Sequence, residues 1–464
     1  MKKVLLVNTS AAKLYSKAKV KEVYSYMLTP LTLVTLAAPL VKNGHEVQIF
    51  DLNLSKKPQE DLEKKLEEFR PDFVGVTFTT ATFYQMASVV KISKQFDKNI
   101  VTIGGGPHAS YDPKETLAAS ELDIAVVGEG DFSLLEIVSG KQLNNIKGIS
   151  FKANGKIINN PHREKIIDLD SLPFPIWDII DKKKYKMSPL IRKKLPVGAI
   201  ETSRGCPFQC VYCSKSVLGP SFIPKSVGRV VDEIEFMLET GFKEIQIVDD
   251  CFSADIKRSK AICDEIKKRG LEFVWNLRSG MRIDRVDEEL LNKLSETGCY
   301  RTSFGIESGN QQILNTISKG ITLDMIRKVF KMIKNFPIET IGFFMLALPG
   351  DTEKTMTDTI NFAKEIDPNI AKATITTPFP GTPLFNQLGA MGLVKSRDWS
   401  KYFSHDPSEV YDHPTLSWKT IFEYYDKFYR EFYFRPSFIF RRFVYGIKNG
   451  SLLYDAKSFI STKW

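Results

Sequence analysis

The chain has no cysteine before position 206 and only five histidines among its 464 residues. The absence of cysteine from the first half excludes a secreted framework held by disulfides there. No uninterrupted apolar stretch reaches about 18 residues, so the sequence predicts no membrane-spanning helix. The apolar run that starts at Val4 stops at Asn8 and is too short for a signal peptide. We therefore expect a buried first strand in a cytoplasmic protein.

The overall composition is that of an ordinary globular protein. Apolar residues make up 43% of the chain and charged residues 26%, with a formal net charge of +10. The length predicts about three domains. These values exclude a disordered or collagen-like chain.

Residues 1–135 alternate short β-branched runs with segments of helical length. The predicted strands are Lys3–Asn8, Glu46–Leu52, Phe73–Phe78, Ile100–Gly104 and Ile124–Val127. Such alternation is typical of an α/β fold with a doubly wound parallel sheet, in which ligands lie outside the carboxyl ends of the strands. Those ends are rich in small and polar residues, and we expect a Rossmann-like ligand-binding domain.

The rest of the chain divides into three further segments. Residues 136–197 are predicted to be a connector that contains an Asn154-Gly155 hairpin. Residues 198–388 resume the alternation with six strands, which favours a partial (β/α)6 barrel over an open sheet. Residues 389–464 are predicted to be helical. The six strands are Ala199–Thr202, Glu244–Val248, Phe273–Leu277, Tyr300–Gly305, Glu339–Ala347 and Lys372–Thr377.

Three of the six cysteines, Cys206, Cys210 and Cys213, form a CxxxCxxC motif directly after the first barrel strand. Three thiolates on one loop can bind three irons of a cubane cluster and leave the fourth iron open, because a cubane normally takes four thiolates. Zinc or free thiols are the alternative, but zinc usually needs a second Cys or His pair. No histidine lies between His162 and His405, which weakens the zinc hypothesis. The other three cysteines are expected to be small buried hydrophobes.

The motif, with Tyr212 before its third cysteine, resembles the radical S-adenosylmethionine (SAM) superfamily. The resemblance implies a [4Fe–4S] cluster whose open iron is chelated by SAM, and reductive cleavage of SAM to a 5′-deoxyadenosyl radical. It also implies an external one-electron donor of the flavodoxin or ferredoxin type. Motifs at later strand ends, in the family's order, support the resemblance. The residues implied to bind SAM are Tyr212, Asp249, Arg282, Glu307, Pro349 and Gly350.

Residues 1–135 resemble the cobalamin-binding domain that precedes the radical SAM domain in a large subfamily of methyltransferases, hopanoid-type enzymes and anaerobic cyclases. The expected cobalamin contacts are Thr77, Thr79, Gly104, Gly105, Gly106, Pro107, Gly128 and Glu129. The sequence departs from classical cobalamin domains because Asn8-Thr9-Ser10-Ala11-Ala12 carries no DxHxxG histidine. A purely structural domain is the alternative. A methylthiotransferase is set aside, because the N-terminal domain of that family carries three cluster cysteines of its own and residues 1–135 contain none.

The last fifty residues are unusually aromatic and basic. They hold sixteen aromatic residues, nine Lys or Arg and four Asp or Glu, with aromatics from Phe422 to Phe432 at helical spacing. One hypothesis is a helical cap over the barrel mouth. A second is a basic, aromatic surface for a membrane or a lipid substrate. Nucleic acid ranks last, because no RNA-binding module accompanies the segment.

These resemblances together imply a cobalamin-dependent radical SAM enzyme that modifies an unactivated carbon of a small-molecule or lipid substrate, in most cases by methyl transfer. Ring closure or rearrangement by the same architecture is an alternative. A non-catalytic iron–sulfur or cobalamin-binding sensor is another, and a membrane- or nucleic-acid-interaction protein is a third. Peripheral membrane contact is expected only through the C-terminal segment.

Overall fold

The computed structural model describes residues 1–10 and 28–449, together with residues 452, 453, 456 and 459. Ala11 and Ala12 of the predicted first strand end lie outside this part of the chain, as does most of the segment after Asn449. None of the helices in the described part is long and apolar enough to cross a membrane.

The N-terminal domain is a seven-stranded sheet in the order β2-β1-β3-β4-β5-β6-β7, with its first five strands parallel. The strands are β1 (Lys3–Asn8), β2 (Glu46–Asp51), β3 (Phe73–Thr77), β4 (Val101–Gly105), β5 (Ile124–Val126), β6 (Ile149–Ala153) and β7 (Lys156–Asn159). The helices are α1 (Leu31–Lys42), α2 (Pro58–Phe69), α3 (Phe83–Phe96), α4 (Pro107–Tyr111), α5 (Pro113–Ala118) and α6 (Asp131–Val138). The order confirms the predicted doubly wound sheet, with its switch point between β1 and β3.

The β6–β7 hairpin corrects the predicted connector. Its turn has positive φ at Asn154 (50°) and Gly155 (71°), as a type I′ turn requires. However, β6 pairs antiparallel with β5, so the hairpin belongs to the N-terminal sheet and covers the edge of β5. The linking segment therefore starts after Asn159 rather than at residue 136.

The second domain is a parallel six-stranded sheet in the order β15-β14-β13-β12-β11-β8, which is the strand order of the predicted partial barrel. Its strands are β8 (Val197–Ile200), β11 (Glu244–Ile247), β12 (Val274–Met281), β13 (Cys299–Glu307), β14 (Glu339–Leu346) and β15 (Ile370–Ile375); β9 (Ser203–Arg204) and β10 (Ile223–Pro224) form a separate short ribbon. The helices are α7 (Val227–Glu239), α8 (Ile256–Lys268), α9 (Glu288–Glu296), α10 (Gln311–Thr316), α11 (Leu323–Ile333), α12 (Glu353–Ile366) and α13 (Pro383–Ala390). The six predicted strands are thus confirmed.

Side-chain caps fix where the barrel helices begin. Ser226, Asp255 and Asp287 accept backbone N–H bonds at the starts of α7, α8 and α9. Each cap satisfies a donor that the first helical turn would otherwise leave unpaired, typically stabilising the helix by about 1 kcal/mol. The helices therefore start just beyond the strand-end loops and leave those loops free for function.

Two tyrosines of α14 (Trp418–Tyr433) close the open edge of the barrel sheet. Tyr429 Oη accepts from Ala373 N at 3.0 Å and donates to Ala373 O at 2.9 Å. Tyr433 Oη likewise accepts from Ala371 N at 3.2 Å and donates to Ala371 O at 2.7 Å. These hydroxyls satisfy the edge groups of β15 that have no neighbouring strand. The aromatic helix therefore lies along β15 and is not the predicted cap over the barrel mouth.

The C-terminal segment is only partly helical, which corrects a second prediction. Between α13 and α14 the chain forms a short 3₁₀ turn at Trp399–Lys401 and an isolated bridge from Val394 to Tyr411. Gly392 at φ 73° ends α13, and Pro407 and Pro414 limit further helix in this stretch. α14 and α15 (Pro436–Asn449) provide the helical part.

Candidate active site

The three motif cysteines lie on a long loop between β9 and β10, which pair antiparallel at its base. Gly205 enters the loop at φ 81°, and a Cβ there would lie 2.3 Å from Ser221 O, so only glycine fits. Cys206 and Cys210 are partly buried and Cys213 is exposed. The loop therefore presents three thiols at the carboxyl end of the barrel.

The thiols of the cysteine loop suit an iron–sulfur cluster. A cubane binds each of its thiolates through a different iron. Three thiols on one loop are the donor set that such a cluster requires, with one iron left open.

A fourth cysteine and a lysine influence the charge state of Cys206. The neighbouring Cys251 thiol, in the loop after β11, lowers the pKa of Cys206, and the pKa of Cys251 is raised in turn. Lys215 donates to Cys206 O at 2.5 Å and further favours the thiolate. Sequence reasoning treated Cys251 only as a buried small hydrophobe. The buried position is correct, but its contact with Cys206 needed the fold.

Asp249 lies beneath the cysteine loop and is fully engaged in holding it. Its carboxylate accepts from Thr202 N at 2.6 Å, from Thr202 Oγ1 at 2.5 Å and from Ser203 Oγ at 2.6 Å. Burial raises the pKa of this carboxyl despite the hydrogen bonds. The structure thus places Asp249 as a support of the strand that leads into the loop.

Arg282, the other predicted charged contact, packs directly on the cysteine loop. Its guanidinium lies 3.7 Å from the centre of the Phe208 ring, a cation–π contact. Its Nε donates to Asp284 at 2.7 Å and its Nη2 to Gly320 O at 3.3 Å. Arg282 therefore joins the loop to the segment after α10.

Glu307 ends β13 in a left-handed conformation, with φ 67°. Its Oε1 accepts from Lys319 Nζ at 2.7 Å, and the same ammonium donates to Tyr212 Oη at 3.3 Å. Burial, and then the nearby Glu307 carboxylate, raise the pKa of Tyr212 well above its usual range. A Cβ on Gly305 would lie 2.7 Å from Lys319 Nζ, so glycine leaves room for the pair.

Lys319 was missed by sequence reasoning, since a lysine before a glycine carries no special signal. A backbone hydrogen bond also joins the segment that carries Lys319 to the cysteine loop, because Val211 N donates to Ile317 O at 3.2 Å. Pro349 and Gly350 follow β14, the neighbour of β13, and Gly350 is exposed at φ 86°. Tyr212, Glu307 and the Pro349-Gly350 turn thus share one end of the barrel.

A cleft with an empty volume of about 1000 Å³ lies between α1, the strand ends of the N-terminal sheet and the cysteine-loop base. Five of the predicted cobalamin contacts line this cleft: Thr77, Gly105, Gly106, Gly128 and Glu129. The α1 side is contributed by Leu31, Thr35 and Leu36, and the barrel side by Glu201, Arg204, Val217 and Leu218.

Three predicted contacts lie outside the lining. Thr79 is exposed elsewhere, and Pro107 begins α4. Gly104 packs inside the sheet, where a Cβ would lie 2.7 Å from Leu122. Gly106 shapes the cleft by its backbone, because at φ 121° a Cβ would lie 2.4 Å from Phe78 O. The strand ends therefore present bare backbone to a large, flat ligand.

His108 is buried and does not line the cleft. Its Nδ1 lies 3.0 Å from Thr80 Oγ1, and its Nε2 lies 3.2 Å from Glu115 Oε2. The other Glu115 oxygen accepts from Trp399 Nε1 at 2.8 Å. His108 thus anchors the C-terminal segment to the N-terminal domain.

Two family models match the chain in the order of its domains. Residues 19–138 match the B12 binding domain, and residues 200–363 match the Radical SAM superfamily. The first match contains the glycine-rich strand ends, and the second contains the three cysteines and Glu307.

Several similar proteins align with most of this chain. An uncharacterized methyltransferase, PH0819, of Pyrococcus horikoshii is 35% identical over 433 residues, covering 92% of both chains. The anaerobic magnesium-protoporphyrin IX monomethyl ester cyclase of Rubrivivax gelatinosus is 28% identical over 80% of this chain and 68% of its own. The radical SAM methyltransferase TsrM of Kitasatospora setae, solved with cobalamin and a [4Fe–4S] cluster, superposes with a TM-score of 0.72 at 18% identity, over 92% and 90%.

Proposed function

Because the chain belongs to the cobalamin-binding branch of the radical SAM enzymes, we propose that it transfers a methyl group to an unactivated carbon of a small-molecule or lipid substrate. The observation that carries the proposal is that the cleft of the N-terminal domain is lined on one side by residues of the cysteine-loop base. A cofactor in that cleft would lie beside the cluster loop. The methyltransferase name of the relative from Pyrococcus horikoshii supports the reaction type.

When bound, the cluster would supply the electron for cleavage of SAM, and the corrinoid would supply the methyl group. The residues of this chain would bind and orient both cofactors. Cys206, Cys210 and Cys213 would hold the cluster, with the Cys251 thiol against Cys206. Tyr212, Glu307 and Arg282 remain our predicted SAM contacts.

The cobalamin contacts that we now propose are the five that line the cleft. Among the described residues, this lining combines glycine backbone and apolar side chains with the charged groups at the cysteine-loop base, and it contains no histidine. Corrinoid binding would therefore proceed without a histidine ligand from this domain. His108, the nearest strand-end histidine along the chain, is engaged by Thr80 and Glu115.

Ring closure is the second candidate reaction, favoured by the similarity to the anaerobic cyclase. The two reactions differ in what becomes of the methyl group. Methyl transfer would consume SAM to S-adenosylhomocysteine as well as to 5′-deoxyadenosine, whereas cyclisation would form only the latter. Both need an external one-electron donor, as radical SAM enzymes do, and we propose a flavodoxin or a ferredoxin.

The experiment that tests the cofactor assignment is the absorption spectrum of protein purified anaerobically with cobalamin present. The proposal predicts cluster bands together with corrinoid bands that remain after gel filtration. Cluster bands alone would contradict the cobalamin assignment. If protein that holds both cofactors forms no 5′-deoxyadenosine from SAM in a separate assay, the non-catalytic sensor would be favoured instead.

We further propose peripheral membrane contact through one face of α15. Ile439, Phe440, Phe443 and Ile447 recur along that helix and are 47%, 71%, 48% and 59% exposed. Arg442 lies on the same helix, and the chain carries a net charge of +10. An apolar stripe beside basic residues fits an anionic lipid surface. This contact would bring the enzyme to a lipid substrate.

A further inference from the structure

Arg204 joins the two domains at the base of the cysteine loop. It lies two residues before Cys206, on β9, while its partner Glu129 lies in the loop between β5 and α6 and its partner Asp131 begins α6. Its Nη1 donates to Glu129 Oε1 at 2.7 Å. Its two terminal nitrogens bind Asp131 as a fork, at 3.0 and 3.1 Å.

A third carboxylate completes this ion cluster, defined here as Arg204, Glu129, Asp131 and Glu201. Arg204 Nε donates to Glu201 Oε2 at 2.8 Å. The side chains of Arg204, Glu129 and Asp131 are only 9%, 6% and 5% exposed. All four residues line the cleft. One guanidinium therefore serves three carboxylates in a poorly hydrated place.

The ion cluster is connected to structural elements on both sides. Glu129 Oε2 also accepts from Ile166 N at 2.9 Å, and this hydrogen bond ties the Glu129 carboxylate to the linking segment. Asp131 is the first residue of α6. On the other side, β9 pairs with β10 and leads directly into the cysteine loop. A change in the Arg204 contacts would thus shift the cleft against the loop.

We propose that Arg204 is a positioning residue that sets the distance between the corrinoid in the cleft and the cluster on the cysteine loop. This inference rests on the proposed function. The planar fork is needed because it binds Asp131 through two nitrogens while Nε holds Glu201. Loss of the guanidinium leaves three neighbouring carboxylates without a cation, and their repulsion separates the two loops.

The test measures the magnetic interaction between the two cofactors rather than activity. Protein loaded with cluster and cobalamin is reduced to cobalt(II) and the paramagnetic cluster, and electron paramagnetic resonance records how far each broadens the other. The variants are Arg204→Gln, Arg204→Lys and Asp131→Asn, the last in case the first does not fold. Arg269→Gln, which removes a half-buried arginine with three carboxylate partners on the barrel helices, is the control.

We expect the broadening to be lost or reduced in Arg204→Gln and Asp131→Asn, partly retained in Arg204→Lys and unchanged in Arg269→Gln, with cluster and corrinoid contents near those of the wild type. Unchanged broadening in Arg204→Gln or, if that variant does not fold, in Asp131→Asn overturns the positioning role while leaving the proposed function intact. A wild-type protein that binds no corrinoid overturns both.

Discussion

Lys319 and Glu307 form a buried ion pair, 2.7 Å from Nζ to Oε1, at the end of β13 where the backbone of Glu307 is left-handed. Both side chains are about one-tenth exposed. A non-glycine residue in this conformation costs free energy, and such positions cluster at functional sites. The same ammonium reaches Tyr212 beside Cys213. The pair thus orders the predicted SAM contacts before any ligand binds.

Replacement of Lys319 by Met should weaken SAM binding by about tenfold or more, because it leaves the Glu307 carboxylate buried without its cation and frees Tyr212. Calorimetry of cluster-loaded protein measures the dissociation constant. Lys354→Met, which removes a lysine from an exposed pair with Asp358, is the matched control. Equal SAM affinity in both variants would show that Lys319 has no part in the SAM site.

A bulky side chain in the cleft beside α1 should weaken the binding of cobalamin without affecting the cluster. Leu36→Trp adds a bulky ring to the α1 side of the cleft, and we expect at least about a tenfold loss of corrinoid affinity from the steric conflict. Ser88→Trp places the same ring in a cleft of about 1040 Å³ between α2 and α3 and serves as the control. The retained corrinoid absorbance after gel filtration is the measurement. A Leu36→Trp protein that keeps its corrinoid would place the cofactor elsewhere.

Stability should fall in mild acid because of His405. Burial, and then the charge of Lys372, lower its pKa to about 3, while the unfolded chain has the ordinary value of 6.5. The unfolded state therefore binds more protons as the pH falls below 6.5, and folding loses about 2 kcal/mol between pH 7.5 and pH 5. His405→Gln should lack this loss, which denaturant unfolding at the two pH values measures. The exposed His162→Gln is the control, and it should behave as the wild type does.

Membrane binding should depend on the apolar stripe of α15. The double variant Phe440→Ser, Phe443→Ser should bind anionic vesicles at least about tenfold more weakly in co-sedimentation, because two rings no longer enter the lipid. Met325→Ser, Met391→Ser removes two other exposed apolar side chains, 44% and 60% exposed, and should bind normally. If both double variants bind equally, or the wild type does not bind, the α15 proposal is wrong.

The fold was largely predictable because each strand of both sheets carries a short apolar run followed by a glycine-rich or polar end. The cysteine triad was predictable for the same local reason, since its spacing lies within eight residues. What escaped prediction depends on distant contacts. Arg204 meets Asp131 across 73 positions, and Cys251 reaches Cys206 only because β11 lies beside β8. The β6–β7 hairpin looked like a linker because its pairing partner, β5, was not evident locally.

The cysteine loop is expected to hold a cluster that cleaves SAM. Chromatography of 5′-deoxyadenosine formed by anaerobically reconstituted protein, with a low-potential reductant, tests it most directly. We predict product from the wild type and from Cys263→Ala, whose thiol is buried on α8, and none from Cys210→Ala. A cluster-loaded wild type that leaves SAM intact, or Cys210→Ala that cleaves it as fast as the wild type, would contradict the claim.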